Sequence, residues 1–313
     1  MYNFIVQDVR FNVKIKFMDK QVLCYGEVLW DTFAEGKKPG GAPMNVAAHL
    51  KQQGVNASLA SRVGMDESGD ELCSYLREVN LYSDLIQKDE TLPTCTVTVK
   101  LDQDQQATYT IPYPVSWDNI LPEKNLIKKA QNADVIVFGS LVCRDKISLD
   151  TLIQLLKSKA LKVFDVNIRA PHFEMENLKR LGGMADVLKM NIEELDMLAG
   201  TELSHLSEKE KILFISDFLG CATLCITRGE AGALIYMNEA FYEHPGYKVD
   251  VVDTVGAGDA FLATIISGML SSENPEGMLD KACAIGAFVA SNRGANPKYD
   301  QHKVSEIRLK AKS

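Results

Sequence analysis

Long basic clusters and long apolar runs are both absent from this chain of 313 residues. Its basic clusters are no longer than pairs such as Lys37-Lys38 and Lys128-Lys129, and the formal net charge is -8. We therefore expect no nucleic-acid partner. The longest apolar run, near residues 260–266, is far shorter than the roughly eighteen residues that cross a bilayer, so we expect no membrane association.

A secretion signal is also lacking, because the first twenty residues mix charged and apolar side chains without a continuous hydrophobic segment. The first buried-strand pattern begins just after Met18, so we expect residues 1–20 to be an extension and residues 1–17 to be dispensable. The seven cysteines are scattered through apolar segments, which is typical of reduced core residues in a cytoplasmic protein. No second Cys/His cluster accompanies Cys221 and Cys225, so packing explains this pair better than a zinc site does.

Hydrophobic residues make up 46% of the chain, enough to bury a large core. Short β-branched runs alternate with amphipathic stretches, which predicts a three-layer α/β/α fold with a mainly parallel central sheet. In such a fold the ligand site lies beyond the carboxyl ends of the strands. We expect one domain over residues 21–313. The predicted strands are 22–25, 57–61, 135–138, 162–165, 187–190 and 223–227, and the predicted helices are 45–53, 69–79, 148–158, 191–198 and 208–219.

One region departs from this alternation. Residues 94–111 show two alternating polar and apolar runs around a polar turn at 102–106, which predicts a β-hairpin without a helix. With the segment after Asp31, the hairpin can form a small sheet that covers a substrate and excludes water, giving lid segments near 31–39 and 94–112. An antiparallel edge hairpin is the alternative that periodicity leaves open.

A glycine-rich turn, Asp253-Thr254-Val255-Gly256-Ala257-Gly258-Asp259, precedes an apolar helix predicted at 260–270. Gly256 and Gly258 allow successive N–H groups to converge on an anion where the helix dipole is positive. Beside a bound phosphoryl group, the Asp259 carboxylate can take a proton from an attacking hydroxyl. The turn therefore predicts a small-molecule kinase; the alternative is a tight turn in which Asp259 serves only the helix N-terminus.

Two further segments indicate a sugar site. Gly40 and Gly41 open an apolar helix where the backbone can approach a ligand, and the Asn45 amide can both donate to and accept from a hydroxyl. Asp31 follows the first strand and is the leading acceptor for sugar hydroxyls, with Trp30 as an apolar wall. The alternatives are an ordinary helix start with proline in its first turn, and a turn aspartate with Trp30 in the core.

The remaining polar segments lie at the ends of later strands. Arg169 can neutralise phosphate oxygens, and Asn191 and Glu194 can orient water around a magnesium ion without binding it directly. In Asn191-x-x-Glu194 the glutamate is equally the partner in an N-terminal capping box. The segment 227–232 is typical of a hairpin turn, and its residues can also face the triphosphate of a nucleotide. The common loops G-x-x-x-x-G-K-[ST] and G-x-G-x-x-G are absent.

In order and spacing these segments resemble the ribokinase-like carbohydrate kinases, also called the PfkB family, over nearly the whole chain after Gln21. Residues 40–47 are similar to the family's N-terminal signature, and residues 253–259 to its C-terminal one. Intermediate patterns match at 62–69, 191–194 and 227–229.

The resemblance implies an ATP-dependent kinase in which Asp259 is the base and the amides of Gly256, Ala257 and Gly258 form the anion hole. It also implies a homodimer formed through the small β-sheet. The implied binding residues are Asp31, Gly40, Gly41, Asn45 and Arg169 for the sugar, Asn191, Thr227, Gly229, Gly232, Asn292 and Asn296 for ATP, Glu194 for Mg²⁺ through water, and Asp253 and Val255 for K⁺.

Within the family, residues 26–31 and the Gly-Gly-Ala-Pro-x-Asn form look most like fructokinases, whose product is fructose 6-phosphate. The rival is a 2-keto-3-deoxygluconate kinase, whose acid substrate would call for a cation from the lid. Residues 107–111 contain no Arg or Lys, and an unpaired carboxylate is costly to bury, so we expect a neutral sugar. Arg169 can still serve an acid substrate. Ribokinase or nucleoside kinase activity is a further alternative, and a sugar or nucleotide sensor without turnover is one of another class.

Overall fold

The computed structural model describes residues 20–33, 36–101 and 107–310. The strands are β1 Gln21–Tyr25, β2 Leu29–Phe33, β3 Gly36–Gly40, β4 Asn56–Gly64, β5 Ile86–Asp89, β6 Thr96–Leu101, β7 Ala107–Thr110, β8 Val135–Gly139, β9 Leu161–Asp165, β10 Val187–Asn191, β11 Thr223–Thr227, β12 Ala233–Met237 and β13 Ala240–His244. The helices are α1 Ala42–Gln52, α2 Glu67–Glu78, α3 Lys124–Asn132, α4 Lys146–Leu155, α5 Met175–Gly182, α6 Ile192–Ala199, α7 Glu208–Leu219, α8 Ala257–Leu270, α9 Pro275–Ala290 and α10 Gln301–Lys310.

A mainly parallel sheet forms the centre of the fold, with the strand order β13-β12-β11-β10-β9-β8-β1-β4-β5. The strands from β11 to β5 in this order pair in parallel, and only β12 and β13 pair antiparallel. Both faces of the sheet are covered. Along β1, Val22 and Cys24 face one apolar core, while Leu23 and Tyr25 face the other. The predicted three-layer α/β/α fold is therefore confirmed. The sequences of its central strands are continuous apolar runs because helices bury both faces of the sheet.

All six predicted strands belong to the parallel part of this sheet, and each predicted helix is present. The helix predicted at 208–219 has the predicted bounds, and the others have shifted ends. Helix α1 begins at Ala42 rather than Asn45, because Pro43 in the first turn needs no N–H partner. Helix α8 begins at Ala257 rather than Ala260, directly after Gly256 in the left-handed region. Cys225 lies within β11, and Cys221 precedes this strand. The sequence patterns did not predict the elements β5, β12, β13, α3, α5, α9 and α10.

The predicted small sheet is also present, with the strand order β3-β2-β6-β7. Strands β6 and β7 form the expected hairpin, and β6 pairs in parallel with β2. Val97 is buried between the exposed Thr96 and Thr98, so one face of the sheet is turned inward. The predicted turn at 102–106 and the predicted dispensable segment 1–17 lie outside the described residues.

The cysteines agree with a further expectation from the sequence, that they pack in the core. All seven cysteines have free thiols and are buried. Within residues 20–33, 36–101 and 107–310, no helix is long and apolar enough to cross a membrane. The same part of the chain contains no group of three His, Cys, Asp or Glu side chains placed to hold a metal ion.

Candidate active site

A cavity of about 440 Å³ lies where β1, β8 and β9 end, against the small sheet. The small sheet contributes Val97, and Ile111 follows its last strand. The cavity brings together residues from segments far apart in the chain, and its polar lining is Glu27, Asp31, Asn45, Asn167, Arg169, Lys189, Thr254 and Asp259 with backbone from Gly41, Gly256 and Gly258. A second cavity, of about 510 Å³, lies between α3 and α4 and gathers none of the predicted site residues.

The predicted anion hole is at the start of α8. Gly256 adopts φ +81, and a Cβ there would collide with the backbone of Ala295, so this position requires glycine. The following amides of Gly258 and Asp259 belong to the first turn of the helix, whose N–H groups have no intrahelical acceptor. They face the cavity at the positive end of the helix dipole, a geometry that suits a phosphoryl group.

Asp259 lies in the same first turn, and its Oδ2 accepts a hydrogen bond from Asn45 Nδ2 at 2.8 Å. Burial raises the pKa of Asp259 to about 6, and the nearby Asp165 carboxylate adds to this effect. The positive charges of Lys189 and Arg169 and the Asn45 hydrogen bond act in the opposite direction. A carboxylate whose pKa is raised to about 6 has a proton affinity that suits general-base catalysis.

The sugar-side residues Asp31, Gly40 and Gly41 are held by the β2–β3 pair and the start of α1. Gly40 makes room for the Asp31 carboxylate, because a Cβ at this position would collide with Asp31 Oδ2. Gly41 has φ +113 and lies against the backbone of Glu27, where a Cβ would not fit either. Burial raises the pKa of Asp31 to about 6, while Arg169 and Lys38 lower it.

Trp30 does not form the apolar wall that the sequence predicted. Side chains alternate along β2, so Asp31 points to the cavity together with Leu29, whereas Trp30 points the other way into the core. The indole Nε1 donates to the Ser68 carbonyl at 2.9 Å. Leu29 supplies the apolar surface of this strand instead.

Lys189 and Asp165 form a buried ion pair that the sequence analysis missed. Lys189 Nζ donates to the two carboxylate oxygens of Asp165 at 2.9 and 3.2 Å. The ammonium group also lies against the anion hole, since a Cβ on Gly258 would be 3.2 Å from Nζ. The available signal was the charge of Lys189 in the middle of β10 and of Asp165 at the end of β9, and the parallel register pairs these two residues directly.

Glu27 is a second missed residue, and it comes directly after β1. It is only 2% exposed. Its Oε1 accepts from the Ala42 amide at 3.2 Å, and its Oε2 has no partner among the described residues. Burial raises the pKa of Glu27 to about 7, with Asp259 adding to the effect and Arg169 opposing it. The acidic side chain at the end of a buried strand was the signal for it.

The predicted nucleotide residues lie outside this cavity, on neighbouring strand ends and loops. Asn191 and Thr227 are register partners at the ends of β10 and β11. Gly229 and Gly232 have φ of +59 and +86 in the turn before β12, which confirms the hairpin turn. Asn292 donates to the Phe288 carbonyl at the end of α9.

Asn296 contacts the sugar side of the site, unlike Asn292 on the same loop. Its Nδ2 donates to Asn45 Oδ1 at 2.7 Å, and Asn45 in turn contacts Asp259. Its amide is thus committed to the sugar side of the site.

The side chains that were predicted to bind metal ions accept hydrogen bonds from backbone amides. Asn191 and Glu194 form the capping box at the start of α6, and Glu194 Oε1 also accepts from Ile168 N at 2.7 Å. Asp253 accepts from the amides of Val255 at 3.1 Å and Gly294 at 3.0 Å. Both carboxylates therefore stabilise the loops around the site.

The charges that line the cavity favour a neutral, hydroxyl-rich ligand. Three carboxylates, those of Glu27, Asp31 and Asp259, face two cations, Arg169 and Lys189. Lys189 is already paired with a carboxylate, and Arg169 lowers the pKa of all three lining acids. The arrangement can bind several hydroxyls, take up a proton and stabilise an anion at one place.

Comparisons with known proteins agree with this chemistry. The model of the pfkB family of carbohydrate kinases matches residues 12–302. A putative sugar kinase of Pyrococcus horikoshii is 30% identical over 276 residues, which are 85% of each chain. A probable chloroplastic fructokinase of Arabidopsis thaliana is 30% identical over 93% of this chain and 83% of its own length.

Solved structures show the same fold. Fructokinase from Xylella fastidiosa with bound ATP superposes with a TM-score of 0.81 at 22% identity, covering 94% of this chain and all of the other. The ATP complex of the Pyrococcus horikoshii sugar kinase has a TM-score of 0.73 at 26% identity, covering 91% of this chain and 99% of the other.

Proposed function

Because the chain belongs to the pfkB family of carbohydrate kinases and is an ATP-dependent sugar kinase, we propose that it phosphorylates the primary hydroxyl of fructose, giving fructose 6-phosphate. The observation that carries this proposal is the meeting of Asp259, the first-turn amides of α8 and the sugar-side Asp31 in one cavity. A base, an anion site and a hydroxyl acceptor are the three components that phosphoryl transfer to a sugar requires.

In the proposed mechanism, Asp31 and Asn45 hold the sugar hydroxyls so that one primary hydroxyl faces Asp259. The carboxylate oxygen of Asp259 that Asn45 does not contact would accept the proton as the hydroxyl oxygen attacks the γ-phosphorus of ATP. The bond from that phosphorus to the bridging oxygen would break, and ADP would leave. The amides of Gly256 and Gly258 stabilise the charge on the transferred group, and Lys189 lies beside Gly258. The Ala257 amide of the predicted anion hole instead donates to the Thr254 carbonyl at 3.2 Å. Val97 and Ile111 from the small sheet exclude water from the reacting atoms, which limits hydrolysis.

ATP and its metal ion would lie on the far side of the anion hole. We place the nucleotide along Asn191, Thr227, Gly229 and Gly232, with Asn292 near its base. Bound ATP supplies the phosphoryl group, and Mg²⁺ would neutralise the charge on its phosphates. Glu194 fits the role of binding Mg²⁺ through a water molecule. Each of its carboxylate oxygens accepts one hydrogen bond from a backbone amide and keeps a second lone pair for water.

A potassium site at Asp253 and Val255 fits less well. Both oxygens of Asp253 accept backbone amides, and the Lys38 ammonium group already faces Asp253 Oδ2 at 3.8 Å. These contacts leave the backbone carbonyl oxygens of Asp253 and Val255 as the ligands for a potassium ion, so the assay below is run with and without K⁺.

The preference for fructose has two supports. Several relatives at 26–30% identity are named fructokinases, and the acid-rich cavity disfavours an anionic sugar. The main alternative is a 2-keto-3-deoxygluconate kinase, which the exposed Arg169 in the cavity would favour because its guanidinium can bind a carboxylate.

We also propose that two copies pair through the small sheet, whose outer face exposes Thr96, Thr98 and Thr110.

A coupled ADP-release assay over fructose, ribose, tagatose, adenosine and 2-keto-3-deoxygluconate, with Mg²⁺ and with or without K⁺, tests the substrate. We expect the highest kcat/KM for fructose. A clear preference for the keto acid would replace the fructose proposal, and a loss of that preference in Arg169→Leu would identify its carboxylate contact. Ligand binding without ADP release from any of the five would indicate a sensor.

A further inference from the structure

We propose that Asn296 is a positioning residue for the catalytic base and acts through Asn45 on Asp259. This proposal rests on the proposed role of Asp259 as the base. Asn296 Nδ2 donates to Asn45 Oδ1 at 2.7 Å, and Asn45 Nδ2 donates to Asp259 Oδ2 at 2.8 Å. The three side chains thus form one chain of hydrogen bonds that ends on the base.

The direction of these bonds carries the argument. An asparagine side chain has a donor end and an acceptor end. An ionised Asp259 accepts from the donor end of Asn45, whereas a protonated Asp259 could donate to its acceptor end if the amide turned over. Asn296 opposes that turn, because its own N–H would then face the Asn45 NH₂ group unless both amides turned together. Its Oδ1 is buried without a partner among the described residues, so the bond to Asn45 sets the orientation of the Asn296 amide. Asn296 therefore holds Asn45 in the orientation that favours the ionised, proton-accepting form of Asp259.

The surroundings keep this contact in place. Asn45 is 3% exposed, so water competes little for its amide. The loop that carries Asn296 is anchored to the same face of α1, one and two turns beyond Asn45. His49 Nε2 lies 2.9 Å from the Ala295 carbonyl, and Gln52 bonds the Pro297 carbonyl at 3.2 Å.

The tautomer of His49 supports this geometry. The Ala295 carbonyl can only accept, so Nε2 carries the proton, and the Tyr299 hydroxyl donates to Nδ1 over 2.8 Å. Burial lowers the pKa of His49 to about 4, so the ring is neutral at working pH. The loop is thus held by uncharged hydrogen bonds on both sides of Asn296.

The structure also gives Asn292 and Asn296 different contacts, although the sequence predicted the same role for both. Asn292 and Asn296 were both expected at the nucleotide. Asn292 bonds the end of α9, whereas the Asn296 amide points to α1 and the sugar side. An effect of Asn296 on turnover rather than on ATP affinity is the signature of the positioning role.

The test replaces Asn296 by Leu, which has nearly the same volume and no donor, and measures kcat, both KM values and the pH profile of kcat/KM for the sugar. We expect kcat to fall about tenfold, because loss of the hydrogen bond to Asn45 frees Asn45 to turn its donor end away from Asp259. We expect the KM for ATP to stay within twofold and the acid limb of the profile to move up by about half a unit to one unit. Asn296→Asp, which can only accept, should lower kcat further, because it turns the NH₂ group of Asn45 away from Asp259.

Gln52→Ala is the matched control. It removes the neighbouring anchor of the same loop but leaves the Asn296–Asn45 contact, so its acid limb should match that of the wild type. A raised KM for ATP with unchanged kcat in Asn296→Leu would assign Asn296 to the nucleotide and overturn the proposal. An equal acid-limb shift in Gln52→Ala would also overturn it, since general loop loosening would then suffice. Absence of ADP release from the wild type would instead refute the proposed kinase function.

Discussion

Replacing Asp259 by Asn should make the protein more stable while removing most of its activity. In the folded protein, burial and the nearby Asp165 raise the pKa of Asp259 from 3.8 to about 6. Each pKa unit corresponds to ~1.4 kcal/mol, so keeping Asp259 ionised in the folded state costs about 3 kcal/mol at neutral pH. Asparagine carries no charge, and its oxygen can still accept the hydrogen bond from Asn45.

The gain in stability should depend on pH in a defined direction. The folded pKa of Asp259 is raised, so the cost of ionisation is absent below about pH 4, grows between about pH 4 and 6 and is fully present above that range. Chemical denaturation of wild type and Asp259→Asn at pH 8, 6 and 5 measures this directly. We expect a difference of about 3 kcal/mol at pH 8 that shrinks as the pH falls.

Activity should change in the opposite sense. Removal of a general base lowers kcat by about a hundredfold to ten-thousandfold, and we expect sugar binding measured by calorimetry to persist. Asp89→Asn is a control of opposite sign, because backbone and side-chain donors hold the pKa of Asp89 far below its usual value and the variant should lose stability at pH 8. An Asp259→Asn variant that is less stable than wild type at pH 8, or that turns over at a similar rate, would refute this account of the site.

Two other substitutions probe the remaining charges of the site. Lys189→Met leaves Asp165 buried without its partner and should lower the free energy of unfolding, measured by urea denaturation, by about 3–5 kcal/mol. The double variant Lys189→Met, Asp165→Asn should recover most of that stability without restoring kcat. A double variant as unstable as Lys189→Met would contradict the pairing. Asp31→Asn should raise the KM for the sugar about tenfold and leave the KM for ATP unchanged in steady-state assays, because Asp31 lies on the sugar side of the cavity; a change confined to ATP would contradict its assignment.

Local patterns predicted the parts of the fold that depend on neighbouring residues. The six apolar runs correspond to the parallel strands, and the turn 227–232 connects an antiparallel pair. The capping box of Asn191 and Glu194 is present as its spacing required. The strand β5 and the helices α3, α5 and α10 were missed because their sequences are more polar and packing determines their structure. The missed β12 and α9 are apolar, so polarity does not explain their omission.

The site shows the same division. The turn 253–259 and the segment 40–45 could be recognised because each acts through its own backbone, with glycines where a Cβ would collide. Lys189 and Asp165 could not be paired before the register of β9 and β10 was known. Trp30 was misplaced because the direction of a side chain on β2 depends on which face of the strand is turned to the cavity.

By itself, the sequence determined the layered α/β fold, the family and the presence of a glycine-rich anion turn with an aspartate beside it. Only the tertiary structure showed that Asn45, 214 residues away in the chain, donates to that aspartate, and that Asn296 in turn donates to Asn45. The physical reason is that helix starts and turns are encoded by adjacent residues, whereas hydrogen bonds between distant side chains exist only after the sheet and its helices have packed.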